Sequence, residues 1–163
     1  MNWKTILGTV AILGAIATAA SAASGLSVRQ TTKVKGTDKE VWTKIGGFCS
    51  IKDWHPAIAS CEESKDGGDA FRTLTLKDGG KIKEKLTGMS ATGYTYAIVD
   101  GPLPVKDYFA SFSAKPDADD PSSTIIAWSS NFMAKGKPDS EVRTLIEGIF
   151  KDGLKGIADG AAK

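Results

Sequence analysis

The sequence has 163 residues and a formal net charge of +2, with acidic and basic residues interspersed along the chain. This length predicts one domain with a hydrophobic core of its own. The near-neutral charge, without a basic stripe, argues against nucleic acid as the main partner.

The amino terminus has the pattern of a signal peptide. Lys4 precedes an apolar run, residues 5–20, and the small residues Ala20-Ser21-Ala22 end it in a form suited to signal-peptidase cleavage. A membrane anchor is the alternative, but the run is rich in alanine, glycine and threonine and short for a span of about 20 residues. We therefore expect residues 1–22 to be a signal peptide cleaved after Ala22, with export to the periplasm or secretion and no stable membrane span. Residues 23–163 then form a single domain of 141 residues.

A strand and a short helix open this domain. Apolar and polar residues alternate over residues 26–34, the pattern of a strand with one buried face. Thr37 then stands three residues before Glu40, which predicts a capping box at a helix start. Apolar residues follow at helical spacing up to Gly46-Gly47, where we expect the helix to end.

The stretch from Phe48 to Cys61 concentrates the residues of greatest chemical interest, including the only histidine. Pro56 disfavours the α-helical conformation for His55, so the imidazole is expected on an extended, stiff backbone. This suits a binding or gating role. The alternative is that Trp54 closes one end of the core while His55 is an ordinary surface residue.

Cys49 and Cys61 flank this stretch and are the only cysteines of the chain. In an oxidising compartment they can pair and close a short loop, whereas two cysteines alone make a poor metal site. We expect a disulfide, with two separate buried thiols as the alternative. No pattern in the sequence predicts a metal or a cofactor.

A second strand is predicted over residues 57–62, followed by a turn at Gly67-Gly68. A hairpin comes next, with strands predicted over residues 71–76 and 81–86. Lysines at 81, 83 and 85 mark the solvent face, so Glu84 faces inward. A three-residue loop, residues 78–80, would place Leu74 opposite Glu84 and Arg72 opposite Leu86, making Arg72 and Glu84 diagonal neighbours.

Charges on an inner face are costly unless they are paired or solvated. Arg72 and Glu84 therefore indicate either an ion pair or an interior that holds water or a polar ligand group, and we favour a cavity. A local bulge that turns Glu84 outward is the alternative.

The rest of the chain predicts three more strands and a long helix. Alternating patterns cover residues 94–99, 108–114 and 126–132, and the stiff apolar loop of residues 101–105 lies between the first two. Pro138-Asp139 opens a helix whose apolar stripe is Val142, Leu145, Ile146, Ile149, Phe150, Leu154 and Ile157. The elements predict an α+β fold: a curved antiparallel sheet wrapped around a long carboxy-terminal helix, with a short helical segment after the first strand.

Several short motifs carry a family resemblance. They are Val41-Trp42, Trp54-His55-Pro56-Ala57, residues 72–76, residues 78–80 with 84–86, Tyr94-Thr95-Tyr96, residues 101–105 with Tyr108, and Trp128 with Phe132. Together they resemble the polyketide cyclase/dehydrase-like branch of the SRPBCC superfamily, over Ser27 to about Ile157. The resemblance implies the helix-grip fold of START lipid-transfer domains and the birch pollen allergen, with a cavity for hydrophobic small molecules. The exported form resembles the MxaD-type periplasmic proteins associated with methanol oxidation.

Three functions are compatible with this resemblance. The first is a periplasmic binding protein for a small, largely hydrophobic ligand; the expected ligand-binding residues are Trp54, His55, Arg72, Glu84, Tyr96, Leu103, Tyr108 and Trp128. The second is a cyclase or dehydratase with His55 or Glu84 as catalytic acid or base, although no nucleophile or cofactor motif supports an enzyme. The third is an accessory protein that docks on a periplasmic dehydrogenase or cytochrome. We favour the first.

Overall fold

The structure is a computed structural model that describes residues 25–161. The predicted signal peptide and its cleavage site lie outside the described residues. Within the described part of the chain, none of the helices is long and apolar enough to cross a membrane.

Seven antiparallel strands form one curved sheet, and a long carboxy-terminal helix packs against its inner face, which is the predicted α+β helix-grip arrangement. In chain order the elements are β1 Leu26–Lys35, α1 Asp38–Ile45, α2 Ile51–Trp54, β2 Ile58–Asp66, β3 Asp69–Leu76, β4 Lys81–Ser90, β5 Gly93–Asp100, β6 Val105–Pro116, β7 Ser123–Ala134 and α3 Asp139–Gly156. A π-helical turn, Ile157–Ala161, follows α3. The spatial order of strands is β1-β7-β6-β5-β4-β3-β2, so β2 through β7 form a continuous meander and β1 returns to pair with β7.

The start of α1 confirms the predicted capping box. The Thr37 hydroxyl accepts a hydrogen bond from the Glu40 backbone N–H, and the Glu40 carboxylate accepts one from the Thr37 backbone N–H at 3.0 Å. These two bonds satisfy N–H groups that the first turn of a helix leaves without partners. Val41 and Ile45 are buried, and the helix ends before Gly46, as the sequence predicted.

The four-residue helix α2 was not predicted. It ends at Trp54, and the next residue, His55, has an extended backbone (φ −92°, ψ 117°), as expected for a residue that precedes proline. The segment from α1 to β2 therefore brings the imidazole against α3 from an extended backbone.

The β3–β4 hairpin corrects the predicted register by two residues. Leu74 pairs with Ile82 and Arg72 pairs with Glu84, whereas the sequence pattern predicted Arg72 opposite Leu86. The pairing moves because the turn is centred one residue earlier, with Gly79 in the left-handed conformation (φ 91°). A shift of two residues leaves every side chain on its predicted face, so the inward orientation of Glu84 is confirmed.

The core lies between the inner face of the sheet and α3. The ring of Trp128 on β7 stacks on Phe150 of α3 with centroids 4.3 Å apart. Val142, Ile146 and Leu154 of α3 are also buried. Leu145, predicted on the same apolar stripe, is instead 40% exposed.

Candidate functional site

A partly open cavity of about 110 Å³ lies between the sheet and α3. Its wall is mainly aliphatic and aromatic, and β2 to β7 contribute to it on one side while α3 contributes on the other. A buried water molecule needs roughly 10–15 Å³ of such space, so the cavity has room for a small organic molecule.

Six of the eight predicted ligand-binding residues lie on the cavity wall: His55, Glu84, Tyr96, Leu103, Tyr108 and Trp128. Trp54 and Arg72 lie behind the wall. The Trp54 ring stacks on Phe112 at 5.3 Å and meets the edge of Trp128 at 5.6 Å, so it supports the wall.

Ten further wall residues were not predicted as ligand contacts: Ile51, Ala57, Ile58, Leu74, Leu76, Ile82, Ile98, Ile146, Ile149 and Phe150. The sequence does carry a signal for most of them. Alternation along the strands places Leu74, Leu76 and Ile82 on the inner face, and the apolar stripe of α3 includes its three contributors. The residues of α2 had no such signal, because that helix is too short to show a period.

Arg72 and Glu84 form an ion pair directly across β3 and β4. The Arg72 Nε atom donates to Glu84 Oε2 at 2.5 Å, and Nη1 donates to the Phe48 carbonyl oxygen and to the Tyr94 hydroxyl. The guanidinium also lies over the Phe48 ring, 4.3 Å from its centroid, and 5.0 Å from that of Tyr96. Both charges are buried, and the pair and the aromatic faces replace part of the water that each ion loses. Arg72 Nη2 has no hydrogen-bond partner within the described residues.

Burial dominates the protonation behaviour of Glu84. It raises the pKa of the carboxyl group, and the attraction and hydrogen bond of Arg72 oppose this shift without overcoming it. For Arg72, burial lowers the pKa, but the Glu84 carboxylate and the neighbouring tyrosines raise it by more. Arg72 therefore keeps its charge, and the carboxylate carries the cost of desolvation.

His55 is held neutral in one tautomer. Its Nε2–H donates to the Ile149 carbonyl oxygen at 3.0 Å, and its Nδ1 accepts from the Ala57 backbone N–H at 3.2 Å. Burial lowers the imidazole pKa, and the Ile149 carbonyl and Asp152 oppose that shift. Because both ring nitrogens are engaged with the backbone, His55 links α3 to the start of β2 and has no free lone pair for proton transfer.

The hydroxyl groups of Tyr96 and Tyr108 form a second polar region at the cavity. Trp128 Nε1 donates to the Tyr96 hydroxyl at 2.9 Å, and the rings of Tyr96 and Tyr108 lie 6.2 Å apart. Burial raises the pKa of both tyrosines well above the ordinary value, so both stay protonated. The wall therefore presents neutral hydroxyls here.

Cys49 and Cys61 form a disulfide, with Cα atoms 5.5 Å apart. It ties the turn before α2 to β2. Phe48, whose carbonyl oxygen accepts from Arg72, directly precedes Cys49. The crosslink therefore lies one residue from the backbone group that holds the buried guanidinium.

The least buried wall residues mark the opening of the cavity. Leu76, Ile98, Leu103 and Ile149 are half-buried, and Ala57 is exposed. Leu103 belongs to the stiff loop of residues 101–105, and Ala57 follows the His55-Pro56 pair. The loop of residues 101–105 and the segment that follows His55 thus both contribute to this rim.

Comparisons with known proteins agree with the fold. Residues 25–161 match the model of the family described as polyketide cyclase / dehydrase and lipid transport. A solved structure of the protein XoxI from Bacillus cereus is 31% identical, with a TM-score of 0.76 over 83% of this chain and 94% of that one. An uncharacterised protein from Bacillus thuringiensis is 32% identical, with a TM-score of 0.76 over 82% of this chain and 97% of that one.

A more distant structure shares the fold alone. The Zhui aromatase/cyclase from Streptomyces sp. R1128 has 16% identity and a TM-score of 0.66, covering 85% of this chain and 94% of the other. No curated protein matches the chain.

Proposed function

We propose, from the premise that this chain belongs to the polyketide cyclase / dehydrase and lipid transport family, that it binds a small, largely apolar ligand in the cavity between the sheet and α3. The observation that carries this proposal is the cavity itself. Protein interiors are close-packed, and an unfilled apolar space of this size costs stability unless a guest occupies it at least part of the time.

Binding is favoured over catalysis by the hydrogen bonds of the two catalytic candidates. His55 has both nitrogens engaged with backbone groups, and Glu84 is paired with Arg72. A general acid or base must reach the proton it transfers, and the engagement of His55 removes it from that role. Glu84 stays the one wall residue with a carboxylate to offer a ligand.

Export and a protein partner are further parts of the proposal. The amino-terminal pattern supports a periplasmic or secreted binding protein, and the disulfide fits an oxidising compartment. Docking on a dehydrogenase or cytochrome stays a prediction of the MxaD-type resemblance.

The test is native mass spectrometry of freshly purified protein, with a variant that fills the cavity. Ile98→Phe adds volume at the cavity wall, whereas Val99→Phe, the matched control, adds the same ring size on the other face of β5, where Val99 is 50% exposed. We expect the parent and Val99→Phe to carry a bound small molecule, or to take one up from an extract, and Ile98→Phe to lose it. Equal occupancy in the two variants, or none in any protein, would refute a ligand site in this cavity.

A further inference from the structure

The polar atoms of the cavity wall are unequal in their availability to a ligand. His55 uses both ring nitrogens within the protein, and Trp128 Nε1 donates to Tyr96. Glu84 differs, because only Oε2 is bonded to Arg72, and Oε1 has no hydrogen-bond partner within residues 25–161. The Tyr108 hydroxyl also lies on the wall but is neutral, and Arg72 Nη2, which has no hydrogen-bond partner among the described residues, belongs to a side chain behind the wall. Glu84 Oε1 is therefore the charged acceptor that the wall offers to a ligand.

The cation that balances Glu84 is screened from the cavity. Arg72 is not on the wall, its side chain is fully buried, and its guanidinium lies among the rings of Phe48, Tyr94 and Tyr96. A ligand therefore meets the acceptor of the ion pair and not its donors. This asymmetry follows from the direct Arg72–Glu84 pairing across the strands, which turns the Nε edge of the guanidinium toward Oε2.

The arrangement discriminates between ligand head groups. A ligand carboxylate would face the Glu84 carboxylate in a desolvated space, and like charges repel strongly there. A carbonyl or ether oxygen would offer Oε1 no proton. A hydroxyl group donates one, and hydrogen bonds to a charged acceptor are among the stronger ones in proteins.

We propose that the ligand is a small, uncharged, largely apolar molecule with a hydroxyl group that donates to Glu84 Oε1, and that the cavity rejects carboxylic acids. This inference rests on the proposed binding function and names the chemical class of its ligand. The volume of about 110 Å³ limits the apolar body to one aromatic ring at most, since a larger cavity of roughly 150 Å³ holds benzene.

Four probes of one ring size test the head group: benzyl alcohol, benzaldehyde, toluene and benzoate, titrated into the ligand-free parent protein by calorimetry and NMR. We expect benzyl alcohol to bind at least about tenfold tighter than benzaldehyde or toluene, the gain of one hydrogen bond to a charged acceptor, and benzoate to bind weakest. Ile98→Phe and Val99→Phe establish that binding occurs in the cavity.

The outcomes separate the two proposals. If toluene and benzaldehyde bind in the cavity as tightly as benzyl alcohol, or benzoate binds best, the hydroxyl inference is overturned while the binding function stands. If no probe binds and the purified protein carries no ligand, both are overturned.

The double variant Arg72→Met/Glu84→Leu removes the acceptor and its cation together. In that protein benzyl alcohol should lose its advantage over toluene. An advantage that persists in the folded double variant would overturn the assignment to Glu84, and the probe series on the parent protein decides the ligand class whether or not the variant folds.

Discussion

Gly156, near the end of α3, lies directly against the backbone carbonyl of Trp54, so a Cβ atom at position 156 would overlap the Trp54 oxygen. Gly153, one turn earlier, is nearly as close, since a Cβ atom there would lie 2.7 Å from His55 Cδ2 and 2.8 Å from the Trp128 ring. The last turns of α3 thus approach the α2–β2 segment as closely as only glycine permits.

This contact predicts opposite effects for two glycines of the same helix. Gly156→Ala should lower the free energy of unfolding by about 2 kcal/mol or more, because a backbone atom must move to admit the methyl group. Gly148→Ala, where nothing lies within 4 Å, should raise it by about 0.5–1 kcal/mol through helix propensity. Chemical denaturation of both variants checks this, and equal effects would contradict the close contact.

The state of His55 predicts how stability depends on pH. Burial lowers the folded-state pKa below the ordinary 6.5, so the unfolded chain binds the proton more readily. The stabilising contribution is complete above pH 6.5 and is lost as the pH falls through the folded-state pKa, at about 1.4 kcal/mol for each unit by which that pKa is lowered.

The measurement is the free energy of unfolding against pH for the parent and for His55→Gln, which cannot titrate. We expect the advantage of the parent over the variant to shrink as the pH falls below 6.5. A difference that stays constant or grows on acidification would mean that the imidazole is not held neutral.

The buried ion pair predicts a large loss of stability when one partner is removed. Glu84→Gln should destabilise the protein by about 3–5 kcal/mol, because it leaves the Arg72 charge buried without its counter-ion. The double variant Arg72→Met/Glu84→Leu should recover much of this loss. Thermal or chemical unfolding of Arg72→Met, Glu84→Leu and the double variant measures the coupling, and additive effects would show that the two side chains do not interact.

The disulfide makes a chemical prediction for exported protein. Cys49 and Cys61 should resist alkylation until a reductant is added, as intact mass before and after reduction will show. Replacing both by serine should cost about 3 kcal/mol, the value that chain entropy gives for a loop of this size. Two thiols that react without reductant in periplasmically produced protein would contradict the pairing.

Much of this architecture could be predicted because the spacing of apolar residues and the residue types at turns and caps determine structure locally. The capping box at Thr37, the lysine face of β4 and the apolar stripe of α3 each fix a side chain's direction without reference to the rest of the fold. A register error of two residues leaves each side chain on the same face of the sheet. The inward position of Glu84 was therefore predicted correctly, although Leu74 was expected directly opposite it and Arg72 is found there.

The remaining features depend on contacts between distant segments. Whether Arg72 points into the cavity or lies behind Glu84 is decided by the Phe48 carbonyl and the Tyr94 hydroxyl, which no local pattern connects to residue 72. The hydrogen bonding of His55 likewise depends on the Ile149 carbonyl oxygen on α3, because the sequence does not show which group accepts a hydrogen bond from a histidine.

The most direct test of the account is to locate a bound probe by intermolecular nuclear Overhauser effects between benzyl alcohol and methyl-labelled protein. We predict contacts from the aromatic protons of the probe to the methyl groups of Leu74, Ile82 and Ile146, which line the cavity from both sides. Contacts confined to exposed methyl groups such as Met89 and Val99, or none at saturating probe, would contradict a ligand site between the sheet and α3.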